Sequence, residues 1–237
     1  MSSPTQRQDC SVLPRSRDKR AAVESMFDRI AGDYERVNRV ISLGLDRRWR
    51  RRAVDGLGLA PGSFVLDLAC GTGDICRILR ARGFETLGVD FSANMLRHAE
   101  DSHSLVVRAD VCVLPMADGA ADGITCGFAL RNFLDLAIFF SECARVLRQG
   151  GRMAVVDAAT PENFVVRAGH RVWFGRVVPW LGARMSEPAA YRYLSASTVY
   201  LPDADSLRSM VTEAGFDEVR VAELMFGAVK LITATRR

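Results

Sequence analysis

A run of apolar and small residues before position 75 carries the clearest chemical signal in the chain. It reads Val65-Leu66-Asp67-Leu68-Ala69-Cys70-Gly71-Thr72-Gly73-Asp74, which predicts a buried strand that enters a glycine turn and then a helix. Gly71 and Gly73 allow the backbone to approach a ligand closely, because a Cβ atom at either position would occupy that space. The pattern predicts a ligand-binding turn at the end of a strand.

A second apolar run, from Thr86 to Val89, ends in an acidic residue, Asp90. In an open α/β sheet, an acidic residue at this place accepts hydrogen bonds from the hydroxyl groups of a ribose. The glycine turn and Asp90 together therefore predict a cofactor that contains adenosine.

The glycine loop also indicates which adenosine cofactor is bound. Ile75 and Cys76 stand where a dinucleotide-binding loop has its third glycine, and Asp74 lies where a pyrophosphate would meet the helix N-terminus. NAD and FAD are disfavoured, whereas the positive sulfonium and ammonium groups of S-adenosylmethionine (SAM) fit an acidic loop. The alternative is a turn whose glycines serve the fold alone.

One α/β domain is expected to position these residues, since the chain has 237 residues and 49% of them are apolar. Residues 1 to 20 are polar and aperiodic and predict a flexible leader, so the domain should span residues 21 to 237. Apolar residues at helical spacing predict a helical cap at about 21 to 60, interrupted near Ser42 to Gly44.

The rest of the chain alternates short apolar runs with helical segments, which predicts a parallel doubly wound sheet. The runs span Ser63 to Leu68, Thr86 to Val89, Leu105 to Val107, Gly123 to Cys126, Arg152 to Val156, Glu218 to Leu224 and Ala228 to Thr235. The last two predict an antiparallel hairpin joined around Phe226-Gly227. Helical spacing from Leu136 to Leu147 predicts a helix, with Gly150-Gly151 as its C-terminal stop.

Composition excludes several classes of protein. No apolar run approaches the ~20 residues of a membrane-spanning helix, so a soluble, cytoplasmic protein is expected. The six cysteines lack metal-ligand spacing, and we expect neither a metal nor a disulfide. The net charge of +4 is mild and predicts no nucleic-acid partner. Five arginines between Arg47 and Arg52 predict either contact with phosphates or an anionic membrane, or a solvated helix face.

Further stretches make the chain resemble a specific family. The loop from Asp67 to Asp74 is similar to motif I of class I SAM-dependent methyltransferases. The other stretches resemble the ubiquinone/menaquinone C-methyltransferase family of quinone biosynthesis. They are Phe27-Asp28-Arg29-Ile30-Ala31-Gly32-Asp33-Tyr34 with Asn38, Ala129-Leu130-Arg131-Asn132, and Tyr191-Arg192-Tyr193-Leu194. The resemblance implies a Rossmann-like α/β fold with a mostly parallel seven-stranded sheet, a helical N-terminal cap and an inserted helical lid at about 160 to 195.

The same resemblance implies SAM-dependent C-methylation of a polyprenylated quinol, with a demethylmenaquinol-type acceptor favoured. The residues implied in cofactor binding are Asp67, Gly71, Thr72, Gly73, Asp90, Phe91, Asp110, Val111 and Gly127. Arg131 is the implied support for the acceptor phenolate, while Tyr34, Asp33, Tyr191 and Tyr193 are candidates to shape or deprotonate the acceptor. The chain departs from the family pattern at Gly127, often a serine, and at Asp157, usually a glutamate.

The segment from Phe164 to Met185 mixes tryptophans, aliphatic residues and arginines. This segment is predicted to form the entry for a hydrophobic substrate. It is also predicted to contact the inner membrane surface, because cations beside tryptophans favour an anionic interface. The alternative is that this face packs on the domain or on a second subunit as a homodimer. Two other functions stay open, a methyltransferase acting on a soluble phenolic natural product and a SAM-binding protein or oxidoreductase.

Overall fold

The computed structural model describes residues 25–29, 34–101, 105–161, 163–173, 193 and 196–237. The predicted leader at 1 to 20 lies outside these residues. So does most of the predicted lid, although its first helix is described.

Seven strands form one sheet in the described part of the chain. They are β1 (Phe64–Leu68), β2 (Glu85–Asp90), β3 (Val106–Arg108), β4 (Ala121–Gly127), β5 (Leu147–Ala158), β6 (Phe216–Leu224) and β7 (Val229–Arg236). Their order across the sheet is β3-β2-β1-β4-β5-β7-β6. The first five pair in parallel, and β7 is antiparallel to both β5 and β6. The prediction of a mostly parallel, seven-stranded Rossmann-like sheet with a closing hairpin is confirmed.

The described helices alternate with these strands. They are α1 (Tyr34–Ile41), α2 (Asp46–Leu57), α3 (Asp74–Ala81), α4 (Ala93–Asp101), α5 (Leu136–Val146), α6 (Phe164–Val172) and α7 (Ala204–Glu213). Residues 25–29 form a further helical turn. The predicted break between the first two helices is present, and Leu43 and Gly44 adopt positive φ angles of 54° and 77° there.

Helices cover both faces of the sheet, which explains why its central strands read as continuous apolar runs. On one face, α2 and α3 pack through Leu57 and Leu79 against Val65 and Val156. A second cluster joins α5 and α7 to the sheet, and it includes the fully buried Phe139, Phe140, Leu207, Leu66 and Ile124. The later part of the predicted cap, α2, is thus one of the helices that cover the sheet.

The end of α5 differs from the prediction, because Gly150-Gly151 does not stop the helix. The helix ends at Val146, and Leu147 is already extended with φ −72° and ψ 135°. Leu147 pairs with Ala121 and Arg152 pairs with Gly123, so the residues between them form a bulge in β5, where Gly150 has φ 72°. Strand pairing with β4 therefore decides this boundary, and the glycines serve the bulge.

No helix in the ranges that the structure describes is both long and apolar enough to cross a membrane.

Candidate active site

A cavity of about 270 Å³ lies where the loops after β1, β2, β3 and β4 meet. Because β1 lies between β2 and β4, the loops after these strands diverge to opposite faces of the sheet, and the crevice between them is the usual ligand site of open α/β sheets. Of the predicted cofactor-binding residues, Gly71, Asp90, Phe91, Asp110, Val111 and Gly127 line this cavity. The structure therefore brings together residues that are widely separated in the sequence.

The carboxylate of Asp90 is held in place by backbone donors. The N–H of Gly71 donates to one carboxylate oxygen (2.8 Å) and the N–H of Ser92 donates to the other (2.9 Å). Asp90 is buried, and burial raises the pKa of its carboxyl group despite these bonds. Each oxygen can accept a second hydrogen bond, so the geometry suits a ligand with paired hydroxyl groups.

The glycine loop bends in a way that requires glycine. Gly71 and Gly73 have φ angles of 54° and 81°, a region that strains other residues. Gly73 directly precedes α3 as its N-terminal cap. At the opposite wall, a Cβ on Gly127 would lie 2.6 Å from Cδ1 of Ile75. The side chain of Ile75 therefore fills the space that a serine would need at this position.

Two other predicted residues, Asp67 and Thr72, line a small recess beside the cavity together with Gly71, Arg50 and Asp74. The carboxylate of Asp67 accepts hydrogen bonds from Thr125 Oγ1 (2.9 Å) and Cys76 Sγ (3.3 Å). Burial raises the pKa of Asp67 to about 7, because the hydrogen bonds compensate only part of the lost hydration. This recess could receive the cationic end of an amino-acid cofactor.

Asp110 and Val111 line the other end of the cavity, as predicted for an adenine site. One carboxylate oxygen of Asp110 accepts a hydrogen bond from the N–H of Cys112 (2.9 Å). The apolar side chains of Phe91, Met95 and Ile138 are also in the lining. A carboxylate beside apolar walls suits a flat base with an exocyclic amine.

A second pocket of about 430 Å³ lies on the other side of Phe128, which lines both pockets. Phe128 has a positive φ of 62°, an uncommon conformation for a bulky residue. Its N–H donates to the carbonyl oxygen of Val156 (2.7 Å), and its own carbonyl oxygen accepts from Nη1 of Arg131 (2.9 Å). The guanidinium of Arg50 lies 4.8 Å from the centre of the phenyl ring. These contacts hold Phe128 in place where the two pockets meet.

Arg131 lines the second pocket, at the end of β4 where the sequence predicts it. It is buried and forms an ion pair with Asp157 at the end of β5, and its Nε donates to Ser197 Oγ (3.1 Å). Burial raises the pKa of Asp157, while the charge of Arg131 opposes that effect. Arg131 therefore lines the pocket as the cationic member of a buried ion pair. The sequence did not predict this pairing.

The structure describes the other predicted catalytic residues only in part. Asp33 and Tyr191 lie outside the described residues, and for Tyr34, the first residue of α1, only the backbone is described. Tyr193 is buried, and its hydroxyl donates to Asn132 Oδ1 (3.0 Å). Burial raises the pKa of Tyr193 to about 12, which makes this tyrosine a poor base at neutral pH.

Sequence reasoning missed a polar cluster at the junction of α1 and α2. Asp46 and Arg50 are buried and paired, Ser42 Oγ donates to Asp46 (2.9 Å), and Arg50 reaches Asp74 of the cofactor loop (3.6 Å). Asn38 also lines the second pocket, and its buried Nδ2 has no hydrogen-bond partner among the described residues. Asn38 was visible only as part of a family signature, and Arg50 only as one of five clustered arginines.

The arginine cluster itself divides in two. Arg50 is buried, whereas the other four, Arg47, Arg48, Arg51 and Arg52, are exposed.

In the predicted lid, Val166, Gly169 and Trp173 line the second pocket, and Trp173 Nε1 donates to the carbonyl oxygen of Ile41 (3.2 Å). The start of the lid thus packs on the end of α1.

The fold and the first cavity together define a class I SAM-dependent methyltransferase. Solved structures agree on the fold. A SAM-dependent methyltransferase from Thermotoga maritima matches with a TM-score of 0.66 at 20% identity over 90% of this chain and 99% of its own. Phosphoethanolamine N-methyltransferase 2 of Haemonchus contortus, solved with SAM, matches with a TM-score of 0.61 at 15% identity over 80% of this chain and 52% of its own.

Within that class, the chain belongs to the ubiE/COQ5 methyltransferase family, whose model matches residues 15–236. Demethylmenaquinone methyltransferase of Thermus thermophilus is 42% identical over 89% of this chain and all of its own length. The ubiquinone/menaquinone biosynthesis C-methyltransferase UbiE of Syntrophotalea carbinolica is 36% identical over 89% of this chain and 92% of its own. The family predicted from the sequence is confirmed.

Replacing Asp90 tests the cofactor cavity. We expect Asp90→Ala to weaken SAM binding by about 1.5–3 kcal/mol, because hydrogen bonds to a charged group are lost. Asp205→Ala is the control, since that side chain is 92% exposed and does not line the cavity. Titration calorimetry that gave the Asp90 variant the affinity of the wild type would contradict the assignment.

The pKa of Asp67 predicts a pH-dependent affinity for SAM. A carboxyl group with a pKa of about 7 must release its proton before it can pair with an ammonium group. The ratio of wild-type to Asp67→Asn affinity should therefore rise as the pH increases from about 6 to about 8. Thr125→Val removes a hydrogen bond that lowers this pKa, and should shift the rise to higher pH. A pH-independent ratio would place the ammonium group elsewhere.

Proposed function

We propose that this chain transfers the methyl group of SAM to a ring carbon of a reduced prenylated quinone, with a demethylmenaquinol-type acceptor. The observation that carries the proposal is the second pocket, which adjoins the cofactor cavity at Phe128 and is lined mainly by apolar residues. The names of the curated relatives support the same acceptor class.

The lining of the second pocket suits an aromatic ring that carries a hydrocarbon tail. Its apolar walls include Ile41, Trp49, Val166, Trp173 and Val229, and its polar groups are few. Pockets of this kind use apolar area for affinity and a small number of polar groups for orientation. Asn38, Arg131 and Thr198 are among those polar groups.

The proposed chemistry needs an electron-rich ring carbon close to the methyl donor. SAM, when bound, supplies an electrophilic methyl group. Loss of a hydroxyl proton makes the quinol a phenolate, whose ring carbon forms the new carbon–carbon bond while the carbon–sulfur bond breaks and sulfur keeps the electron pair. The ring carbon then loses its hydrogen as a proton, which restores the aromatic ring. The protein contributes mainly by holding the acceptor beside Phe128, where the second pocket meets the cofactor cavity.

Asn38 is our candidate donor to an acceptor oxygen. Its Nδ2 is buried in the wall of the pocket without a hydrogen-bond partner among the described residues. Buried donors without a partner are rare in folded proteins, and a bound ligand is one way to satisfy them. A quinol or phenolate oxygen provides the missing acceptor.

Arg131 is proposed to support the phenolate through the ion pair with Asp157. Because Asp157 balances most of its charge, the field in the pocket is that of an oriented pair rather than a lone cation. Arg131 also holds the carbonyl oxygen of Phe128, so it helps to position the residue at which the two pockets meet. Asp33 and Tyr34, which precede Asn38 on the chain, remain proposed for shaping or deprotonating the acceptor.

The proposal includes the predicted organisation of the chain as one domain with a cap and an inserted lid. Since a polyprenyl quinol is barely soluble in water, the enzyme must meet it at a bilayer surface or on a carrier. We place the enzyme at the inner membrane surface during catalysis, and a homodimer through the lid is the alternative use of that face.

Two variants separate the chemical role of Arg131 from its structural role. Arg131→Leu leaves the buried Asp157 carboxylate without its charged partner, which should cost roughly 3–5 kcal/mol of stability. The double variant Arg131→Leu, Asp157→Asn removes both charges but keeps an acceptor for the backbone N–H groups of residues 131 and 158, and should recover much of the melting temperature. We expect both variants to turn over slowly while retaining most of their SAM affinity. Full turnover by the double variant would show that the ion pair is structural only.

Asn38→Leu tests the donor to the acceptor. We expect a higher KM or lower kcat for the quinol, up to about tenfold, because one hydrogen bond is lost. The free protein should at the same time become slightly more heat-stable, since the variant removes a buried donor for which the described ranges offer no acceptor. Steady-state kinetics together with thermal melting measure both effects. Unchanged kinetics would remove Asn38 from the acceptor site.

The function itself is tested in cells that lack the gene. Mass spectrometry of their lipid extract should show a quinone without its ring methyl group, and a plasmid copy of the gene should restore the methylated form. An unchanged quinone profile, together with turnover of soluble phenols by the purified protein, would favour the natural-product alternative.

A further inference from the structure

The turn between β6 and β7 has an unusual combination of backbone and side chains. The N–H of Gly227 donates to the carbonyl oxygen of Leu224 (3.1 Å), and the central residues Met225 and Phe226 have φ angles of 50° and 55°. Two central residues with positive φ define a type I′ turn, which normally carries Asn-Gly because other side chains are strained there. A methionine and a phenylalanine in these places oppose the backbone preference.

Solvent exposure makes the same two residues more unusual. Phe226 is 81% exposed and Met225 is 46% exposed, and both line the mouth of the second pocket. Leu43, from the turn between α1 and α2, lines the same pocket and is 63% exposed. These three side chains form what we call the apolar rim. Neither local conformation nor burial by the part of the chain that the structure describes accounts for its composition.

We infer that the apolar rim inserts into the surface of a bilayer that contains anionic lipid, with Met225 and Phe226 at its tip. The inference rests on the proposed function, in which the second pocket takes a prenylated acceptor from the bilayer. A rim that enters the lipid around the mouth of that pocket allows the acceptor to move from hydrocarbon to protein without crossing water.

Charge around the rim favours lipid over a second copy of the chain. Arg48 follows Leu43 closely at the start of α2, and both Arg48 and Arg52, about one helical turn further on, are exposed. Arg47 and Arg51 instead line a separate groove with Glu35 and Asp74. On α6, whose Val166 and Gly169 line the same pocket, Arg167 is also exposed. Exposed cations beside an apolar tip complement anionic headgroups, whereas two copies of the same face would repel each other.

The turn can be replaced without changing its type. Met225→Asn, Phe226→Gly gives the residues that a type I′ turn prefers, so the hairpin should keep its shape and the protein should be at least as heat-stable as the wild type. Sedimentation with vesicles of phosphatidylglycerol and phosphatidylethanolamine then measures membrane binding without substrate. We expect the vesicle partition coefficient to fall at least about tenfold, because a phenyl ring and a thioether no longer leave water.

Two further variants make the test specific. Leu105→Ser removes a side chain of similar exposure (73%) next to β3, at the opposite edge of the sheet, and should leave vesicle binding unchanged. Phe226→Trp keeps an apolar tip and should retain binding, with fluorescence that brominated lipids quench.

The outcomes distinguish this inference from the proposed function. Loss of vesicle binding in the turn variant supports the rim even if the purified enzyme does not methylate a detergent-dispersed quinol, a result that would contradict only the proposed acceptor. Vesicle binding equal to that of the wild type would overturn the inference. A wild type that ignores vesicles but forms a dimer in sedimentation velocity, which the turn variant loses, would assign the rim to a second copy of the chain.

Discussion

The buried ion pair between Arg131 and Asp157 is the interaction on which the arrangement of the two pockets depends. It joins the ends of β4 and β5, and the same guanidinium holds the carbonyl oxygen of Phe128 (2.9 Å). The backbone of Phe128 is strained, and two hydrogen bonds hold it in that conformation. One comes from Arg131 and the other goes to the carbonyl oxygen of Val156. Since Phe128 lines both pockets, the ion pair helps to fix the place where they meet. Removing only one of the two charges would leave the other buried without its ion-pair partner. That change lowers stability much more than removing both charges.

A second set of charges connects the second pocket to the cofactor loop. Arg50 pairs with Asp46 in the lining of the second pocket, and its guanidinium lies over the ring of Phe128. Arg50 also reaches Asp74 at the start of α3. From Asp74 the contacts continue through Arg77 to Glu35 of α1, whose carboxylate also accepts from Thr72 (3.1 Å). The first helices and the glycine loop thus share one polar network. Because of this network, the position of the cap helices is coupled to the geometry of the cofactor site.

The sequence predicted the cofactor side of the site much better than the acceptor side. Asp67 and Asp90 lie at or near the ends of β1 and β2, and Gly71 lies in the loop after β1. The ends of parallel strands meet at one edge of the sheet, so local pattern was enough. Arg131 follows β4 and Asp157 lies near the end of β5, and no spacing in the sequence indicates that they pair. The end of α5 was predicted wrongly because long-range pairing with β4 outweighs two helix-stopping glycines. The position of the hairpin turn around Phe226-Gly227 was predicted, but the positive φ angles of Met225 and Phe226 were not, since these residues are not those that a type I′ turn prefers.

The proposed reaction moves one methyl group from SAM in the first cavity to a ring carbon of a prenylated quinol in the second pocket, and the two sites meet at Phe128. The direct measurement supplies the purified protein with SAM labelled by deuterium in its methyl group and with reduced demethylmenaquinone dispersed in detergent. Fragment masses of the product then locate the label. We expect the labelled methyl group on a ring carbon of the quinone. A label on a hydroxyl oxygen, or incorporation only into phenols that lack a prenyl chain, would contradict it.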